Sequence, residues 1–386
     1  MNMTRGRLWL MAMGFALATG ACSDDVANGE IEPDVGGDDV GQIGDDAGES
    51  GDDAGETQPE DDAGEGGGEA APLVWSPLQS SGTSAAGFHA VYFVDDQSGW
   101  VVGSADFDEG GSVIAHTSDG GENWEEQASP TEQPLSDVHF ADANTGWAVG
   151  TTGVARTDDG GQSWHYESDI IDDGALQKLH FVDESTGWAV GDAIVHTDDG
   201  GHSWTVQASS QQLGHTVMAV HGIDAMTAVG AGSSGWIVRT TDGDEWLGID
   251  NPMSGSSLAT AMDFVDANTG WVATGAGAVV RTDDGGETWE DAGSVSGAIL
   301  GISFVDADQG WAIQHSGNIH RTTDGGHTWE LEQTIRQPDL EQTFGTGAML
   351  EDIHMVDDQL GWVVGVPAPD SDHEAPIVRY QGTSGD

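Results

Sequence analysis

Basic side chains are scarce in this chain, nine Lys or Arg against 68 Asp or Glu, so the places they occupy carry information. Arg156, Arg239, Arg281, Arg321 and Arg379, with His116 and His196, stand at the same point of a recurring unit, immediately before a Thr in all but the last, where Tyr380 follows Arg379. A guanidinium there can pair with a carboxylate such as Asp95, Asp142 or Asp306, or stack on the Trp of the recurring Asp-Gly-Gly box. That structural role is the favoured reading. The alternative is a basic patch, weakened at the two histidines, that recognises an acidic segment of a partner. A second recurring position holds Tyr92, His139, His180, His221, Asp263, Ser303 and His354. Histidines on neighbouring strands could ligate a metal together with Asp263. Satisfied polar core residues are the simpler expectation, so no metal or other cofactor is assigned.

The elements that position these residues follow from an internal repeat. One signature is Gly-Trp followed by small or β-branched residues, at Trp100, Trp147, Trp188, Trp271, Trp311 and Trp362. A second, Thr-x-Asp-Gly-Gly-x-x-Trp, has its Asp and Trp at Asp119 and Trp124, Asp159 and Trp164, Asp199 and Trp204, Asp284 and Trp289, and Asp324 and Trp329. A degenerate copy contains Asp242 and Trp246, in a unit whose Gly-Trp has become Thr227-Ala228. A period near 40 residues with several short alternating segments means four strands per unit and an all-β propeller. Strands A to C begin seven times, near Val91, Val138, Leu179, Val220, Met262, Ile302 and Ile353. The seventh unit ends at Tyr380 without a strand D, and Leu73-Val74-Trp75-Ser76 stands alone before the first. An N-terminal strand closing the last blade would remove two exposed sheet edges. The expectation is a seven-bladed propeller of four-stranded antiparallel blades over residues 73–386. Its Asp-Gly-Gly turns are hairpin staples, with the carboxylate on backbone N–H groups and the indole beneath the turn.

Gly-Trp-x-Val-Gly together with Arg-Thr-x-Asp-Gly-Gly-x-Thr/Ser-Trp resembles the photosystem II assembly and stability factors, relatives of the wider Asp-box (BNR) repeat propellers. The resemblance covers roughly residues 73–381. It implies a seven-bladed protein-binding scaffold without catalysis. The enzymatic alternative is a sialidase-like glycoside hydrolase, which would require an Arg cluster, an activated Tyr and an axial acid. The chain has only three tyrosines, and no Phe/Tyr-Arg-Ile-Pro run precedes the first box. No catalytic residue is assigned. Passive carbohydrate recognition through an exposed aromatic such as Trp236 is a further alternative.

The first 22 residues read as an export signal: Arg5 and Arg7, an apolar run from Leu8 to Leu17, small residues, and then Cys22, the only cysteine. This resembles a bacterial lipoprotein box, with Thr19 a departure, and makes Cys22 the lipidation site. The expected location is the bacterial cell envelope, at the outer membrane or the cell surface, with the lipid as the only membrane contact. Residues 23–72 are dominated by Asp, Glu, Gly and Ala, with Asp-Asp-Ala-Gly-Glu at 45–49, 52–56 and 61–65. They read as a disordered, charge-extended tether. A formal charge of −59 excludes a nucleic-acid groove, and one cysteine excludes an internal disulfide framework.

The repeat is interrupted by insertions at Ser104–Gly111, Ser129–Leu135, Glu332–Leu350 and Val366–Pro376. Antiparallel A-B-C-D order puts all four on the face opposite the Asp-box turns, in blades 6, 7, 1 and 2. Long loops on a rigid scaffold are where binding concentrates, so this sector is the preferred docking surface for a protein or envelope component. A monomer is expected.

Overall fold

The computed structural model describes residues 73–78, 83, 85–106, 110–172, 174–253, 257–335, 349–367 and 375–382. Cys22, the acidic segment and parts of three insertions lie outside the described residues. Within them the chain forms seven four-stranded antiparallel sheets. Blade 1 comprises Gly87–Phe93, Gly99–Ser104, Ser112–Thr117 and Glu125–Gln127 as strands A to D. Blade 2 comprises Leu135–Phe140, Gly146–Gly150, Gly153–Thr157 and His165–Ser168. Blades 3 to 6 repeat the order from Leu176 to Thr334. Blade 7 comprises Met349–Asp357, Leu360–Val366 and Ile377–Gly382, and Leu73–Pro77 pairs with its third strand, Trp75 opposite Tyr380. The expected closure is therefore present. Strand A of each blade packs on strand A of the next, and blade 7 on blade 1.

Seven clusters of buried apolar side chains fill the seven seams, one cluster to a seam. At four of them the packing is the same. The strand B indole lies flat on the strand A phenyl ring of the next blade: Trp362 on Phe93 at 3.4 Å, Trp100 on Phe140 at 3.6 Å, Trp147 on Phe181 at 3.5 Å and Trp271 on Phe304 at 3.6 Å. The box Trp of that next blade meets the other side of the phenyl edge-on, as Trp164 meets Phe140 at 90°. The Gly of Gly-Trp makes room for the ring, since a Cβ on Gly146 would lie 2.4 Å from Phe140. The indole N–H then crosses the seam to a box glycine carbonyl: Trp147 Nε1 to Gly200 O and Trp271 Nε1 to Gly325 O, both at 2.8 Å. Each of these strand B indoles is fully buried, worth roughly 4–6 kcal/mol at about 25 cal/mol per Å² of apolar surface.

The box turns accordingly do more than staple a hairpin. In blade 2, Thr157 Oγ1 donates to Asp159 Oδ1 and accepts from Gly161 N–H, while Asp159 accepts from Ser163 N–H and Oγ–H. Gly160 and Gly161 both have positive φ, 71° and 86°, which presents the Gly160 carbonyl to Trp100 of blade 1. Not every box indole finds an acceptor: Trp164 donates to Gln127 and Trp246 to Gln207, whereas Trp124, Trp204 and Trp329 have no partner for Nε1. Blade 4 shows what the second glycine does. Asp244 replaces it and the turn is one residue shorter, closing at Gly243 N–H on Thr240 Oγ1. The Trp188 N–H of blade 3 is left without an acceptor.

Blade 7 has no box turn, so the seam from blade 6 needs another acceptor. Glu332, in Glu330–Thr334, supplies it. Its carboxylate accepts from Trp75 Nε1 and Trp311 Nε1, both at 3.0 Å, and from Tyr380 Oη at 3.1 Å, with Arg321 at 3.6 Å. Burial, then the Glu332 charge, raises the Tyr380 phenol above its ordinary range. The insertion expected at Glu332–Leu350 is thus shorter: Glu332 is a strand residue facing the seam, and Leu350 is buried in strand A. Glu332→Ala strands three donors and should cost about 2–4 kcal/mol in urea unfolding, with Glu332→Gln losing about half as much. Trp75→Ala should cost about 3–5 kcal/mol, and the double variant less than the sum because the two share one joint.

Candidate functional site

Three groups of residues could carry function: the axial side chains, the basic positions of strand C, and the insertions. The axial side chains sit on strand A, the innermost strand, whose outward N–H groups have no neighbouring strand within the sheet. An unpaired edge of this kind requires partners. The preceding blade provides them. His139 Nδ1 accepts from Phe181 N–H, His180 Nδ1 from Gly222 N–H, Asp263 Oδ2 from Phe304 N–H and Ser303 Oγ from Met355 N–H. His354 Nε2–H donates to the Phe93 carbonyl. Since Nδ1 of His139 and of His180 accepts, each neutral ring carries its proton on Nε2. The rings of His354, Tyr92, His139, His180 and His221 follow one another at 3.9–4.8 Å.

A second axial layer, two residues earlier on strand A, has the same logic and escaped the sequence reading. Asp137 Oδ2 accepts from Leu179 N–H, and Asp352 Oδ2 from Val91 N–H. Lys178, the only lysine, sits at this level with its Nζ 3.2 Å from Asp137. The visible signal was charge on a strand otherwise apolar at alternate positions. Among the described residues no three His, Cys, Asp or Glu side chains converge as a metal site.

Burial governs the protonation of this array. It lowers His89, His180 and His354 to about 4, and His139 and His221 well below their ordinary value. It raises Asp263 and Asp352 to about 6 and Glu351 to about 7. Burial also works against the Lys178 charge, but Asp137, Asp352 and Glu351 outweigh it and keep the ammonium protonated. Tyr92 is pushed up to about 12 by burial, then by Asp263, which removes it as a nucleophile.

The basic positions are built into the seams. Each lies opposite its own strand B position in register, as Arg156 opposite Trp147 and Arg281 opposite Trp271. Stacking is on that strand B indole rather than the expected box Trp: Arg281, Arg321 and Arg379 lie 5.2, 5.0 and 5.8 Å from the ring centroids of Trp271, Trp311 and Trp362. The expected pairing with Asp95, Asp142 and Asp306 is absent among the described contacts. Those carboxylates close their own A–B turns, each accepting from two backbone N–H groups, as Asp142 does from Asn144 and Thr145. The guanidinium groups instead pair locally or cross the seam. Arg156 binds Asp158, and Arg281 binds Asp283 and the Ala307 carbonyl of blade 6. Arg239 Nε donates to the Gly285 carbonyl at 2.8 Å, taking the place of the indole that blade 4 lacks. His116 and His196 stack on Trp100 and Trp188. With side-chain exposures of 14–27% for Arg156, Arg239, Arg281 and Arg321, the row is sunken and locally neutralised.

On the face opposite the box turns, the insertions of blades 1 and 2 join. Ala105 N–H donates to Gly111 O, Gly111 N–H to Glu132 O at 2.8 Å, and Ser112 Oγ meets Ser129 Oγ at 2.6 Å and donates to Thr131 O. Gly120 N–H donates to Gln97 O, placing the box turn with the A–B turn on the other face. The stretches 107–109, 336–348 and 368–374 lie outside the described residues. Trp236 is half-buried and stacked on His215 at 4.6 Å, not the open platform expected of it.

With this geometry in place, comparison with known proteins is direct. Residues 122–256 match the family model described as photosynthesis system II assembly factor YCF48. The resemblance to the photosystem II assembly factors holds. A solved structure of YCF48 from Cyanidioschyzon merolae is 22% identical with a TM-score of 0.59, covering 81% of this chain and 99% of that one. A YCF48 bound to D1 peptide is 19% identical with a TM-score of 0.57, covering 81% of this chain and 100% of that one. The WD40 β-propeller domain of Doa1, at 12% identity, has a TM-score of 0.57, covering 81% and 98%. These identities speak for the fold alone. Among curated proteins none matches.

The axial array sets a pH dependence. Its imidazoles bind fewer protons in the folded than in the unfolded state between pH 6.5 and about 4, so they subtract stability as pH falls through that window. Asp263, Asp352 and Glu351 hold protons that the unfolded chain releases, and oppose the trend. Asp137, also raised by burial, joins them; five buried histidines against four acids still give a net loss, so the urea midpoint should fall between pH 7 and 4.5. His180→Gln should flatten that fall by on the order of 3 kcal/mol, and Glu351→Gln should steepen it.

Proposed function

We propose that this chain is a non-enzymatic propeller scaffold that binds a protein partner while tethered to the bacterial envelope through a lipid on Cys22. The observation that carries the partner surface is the hydrogen-bonded wall formed by the insertions of blades 1 and 2. It rises where the repeat needs only a short turn, and it stands beside blade 7, which the N-terminal strand closes. The shared repeat, and the fact that one structural neighbour is a YCF48 bound to D1 peptide, support protein rather than glycan recognition. The tyrosines support the absence of glycosidase chemistry: Tyr92 is held protonated in the axial belt, Tyr166 bonds Thr152 and Tyr380 bonds Glu332. The acidic segment would hold the propeller away from the lipid surface by like-charge extension.

The test is capture of a client from detergent-solubilised envelope. Replacing Ser129–Pro134 with a two-residue turn should leave thermal melting within a few degrees of the parent but abolish capture, whereas the double change Arg156→Gln and Arg281→Gln should retain it. Capture that survives loss of the wall and disappears with the arginines would transfer the site to the box face. Cys22→Ala should move the protein from the membrane pellet to the soluble fraction and end labelling by a fatty-acid analogue.

A further inference from the structure

At three seams the strand C arginine reaches the next blade, and at the seam between blades 1 and 2 a histidine stands in its place. Arg281 of blade 5 donates Nη1–H to the Ala307 carbonyl in the A–B turn of blade 6, at 2.9 Å. Arg239 of blade 4 donates to the Gly285 carbonyl of blade 5 at 2.8 Å. Arg379 of blade 7 lies against Gly120 of blade 1, where a Cβ would be 3.1 Å from Nη2. In blade 1 the equivalent residue is His116, which is too short to cross. Its imidazole stacks on Trp100 at 4.6 Å, and Nε2 stays within its own blade, 3.2 Å from Ser98 Oγ.

The receiving side is nevertheless shaped as it is where an arginine arrives. A Cβ on Gly160 would sit 2.9 Å from the Ala143 carbonyl, and one on Gly325 sits 2.8 Å from Ala307 O, so the two turns present this oxygen alike. Glu125 stands opposite His116 in register as Glu290 stands opposite Arg281. What differs is the space between. An open groove of ≈ 550 Å³ runs from His116 and Glu125 to Ala143 and Gly160, compared with ≈ 310 Å³ at the seam that holds Arg281. Its lining includes Glu125, Glu126 and Asp159 and no Lys or Arg. Gln127 crosses at one end, its Nε2 on the Gly160 carbonyl, and leaves the Ala143 side open.

We infer that the groove between blades 1 and 2 is a receptor slot for the arginine side chain of a basic partner segment. The guanidinium would lie on the outer face of the His116 imidazole, donate to the Ala143 carbonyl and pair with Glu125. These are the roles that the chain's own arginines perform at other seams. A planar fork satisfies two acceptors set apart in this way, where an ammonium satisfies one at a time. The slot opens on the box face, opposite the wall of insertions, so it is a second surface and does not depend on the first.

Because any cationic peptide is drawn to so acidic a protein, the test must isolate this groove. The full chain is titrated at 150 mM salt with a five-residue Gly/Ser peptide bearing one central Arg, and with its Lys counterpart, following the Trp100 indole and Gln127 amide resonances. The Arg peptide should shift both signals and bind about tenfold more tightly than the Lys peptide. His116→Arg, which supplies the guanidinium in cis, should abolish the response, while His196→Arg, with the same added charge at another seam, should leave it intact. Glu125→Gln should weaken binding without altering the melting curve, and provides the decision if His116→Arg melts early. Equal affinity for the two peptides, or an undiminished response in His116→Arg or in Glu125→Gln, overturns the assignment.

Discussion

Seven sheets arranged about an axis share no backbone ladder, so the ring is only as strong as the side-chain seams between blades. The decisive interaction is the strand B indole lying on the next blade's phenylalanine, with its N–H on the next blade's box carbonyl. One residue thereby supplies apolar burial, a fixed ring plane and a hydrogen bond across the seam. Much of the repeat signature is a consequence. Gly before Trp makes room for the phenyl, the positive-φ glycines of the box aim a carbonyl at the indole, and the box Trp backs the phenyl edge-on. Where one participant changes, its neighbours change with it: Arg239 replaces the missing indole of blade 4, and Glu332 replaces the missing box of blade 7.

The axis obeys a second constraint. Strand A is an edge strand on the inside of the ring, where a free N–H cannot be left unpaired. Histidine, aspartate and serine side chains from the preceding blade supply the acceptors. A row of histidines that looks like ligand chemistry in the sequence supplies, in the fold, hydrogen-bond partners for an inner sheet edge, His139 and His180 as acceptors and His354 as a donor. Their protonation follows from that position, because burial resists the imidazolium and accepting a backbone N–H keeps Nδ1 unprotonated. The resulting surface is divided. Box turns and sunken arginines form one face, and the described insertions of blades 1 and 2 rise from the other.

The blade count, the closing strand and the role of the box turns were legible in the residues, because each is written as local spacing: alternation within strands, a near-constant interval between tryptophans, and an orphan Trp75 matching a missing strand D. The partners of the arginines were not. Asp95, Asp142 and Asp306 looked available, but each carboxylate is consumed by its own turn, and that competition is visible only once the turn is folded. The start of the insertion between blades 6 and 7 was misplaced for a related reason. Glu332 reads as a loop acid in a chain full of acids, and nothing local marks it as the acceptor for donors arriving from residues 75, 311 and 380.

By itself, then, the order of residues determined the architecture, since strand and turn preferences act over a few neighbours and the repeat states them many times over. The tertiary structure alone decided which polar groups face each other across the seams, which of the basic positions are saturated, and where a groove is left open beside His116. Those outcomes depend on contacts between residues from 21 to 261 positions apart, and on a competition for hydrogen-bond partners that has no signature in local spacing.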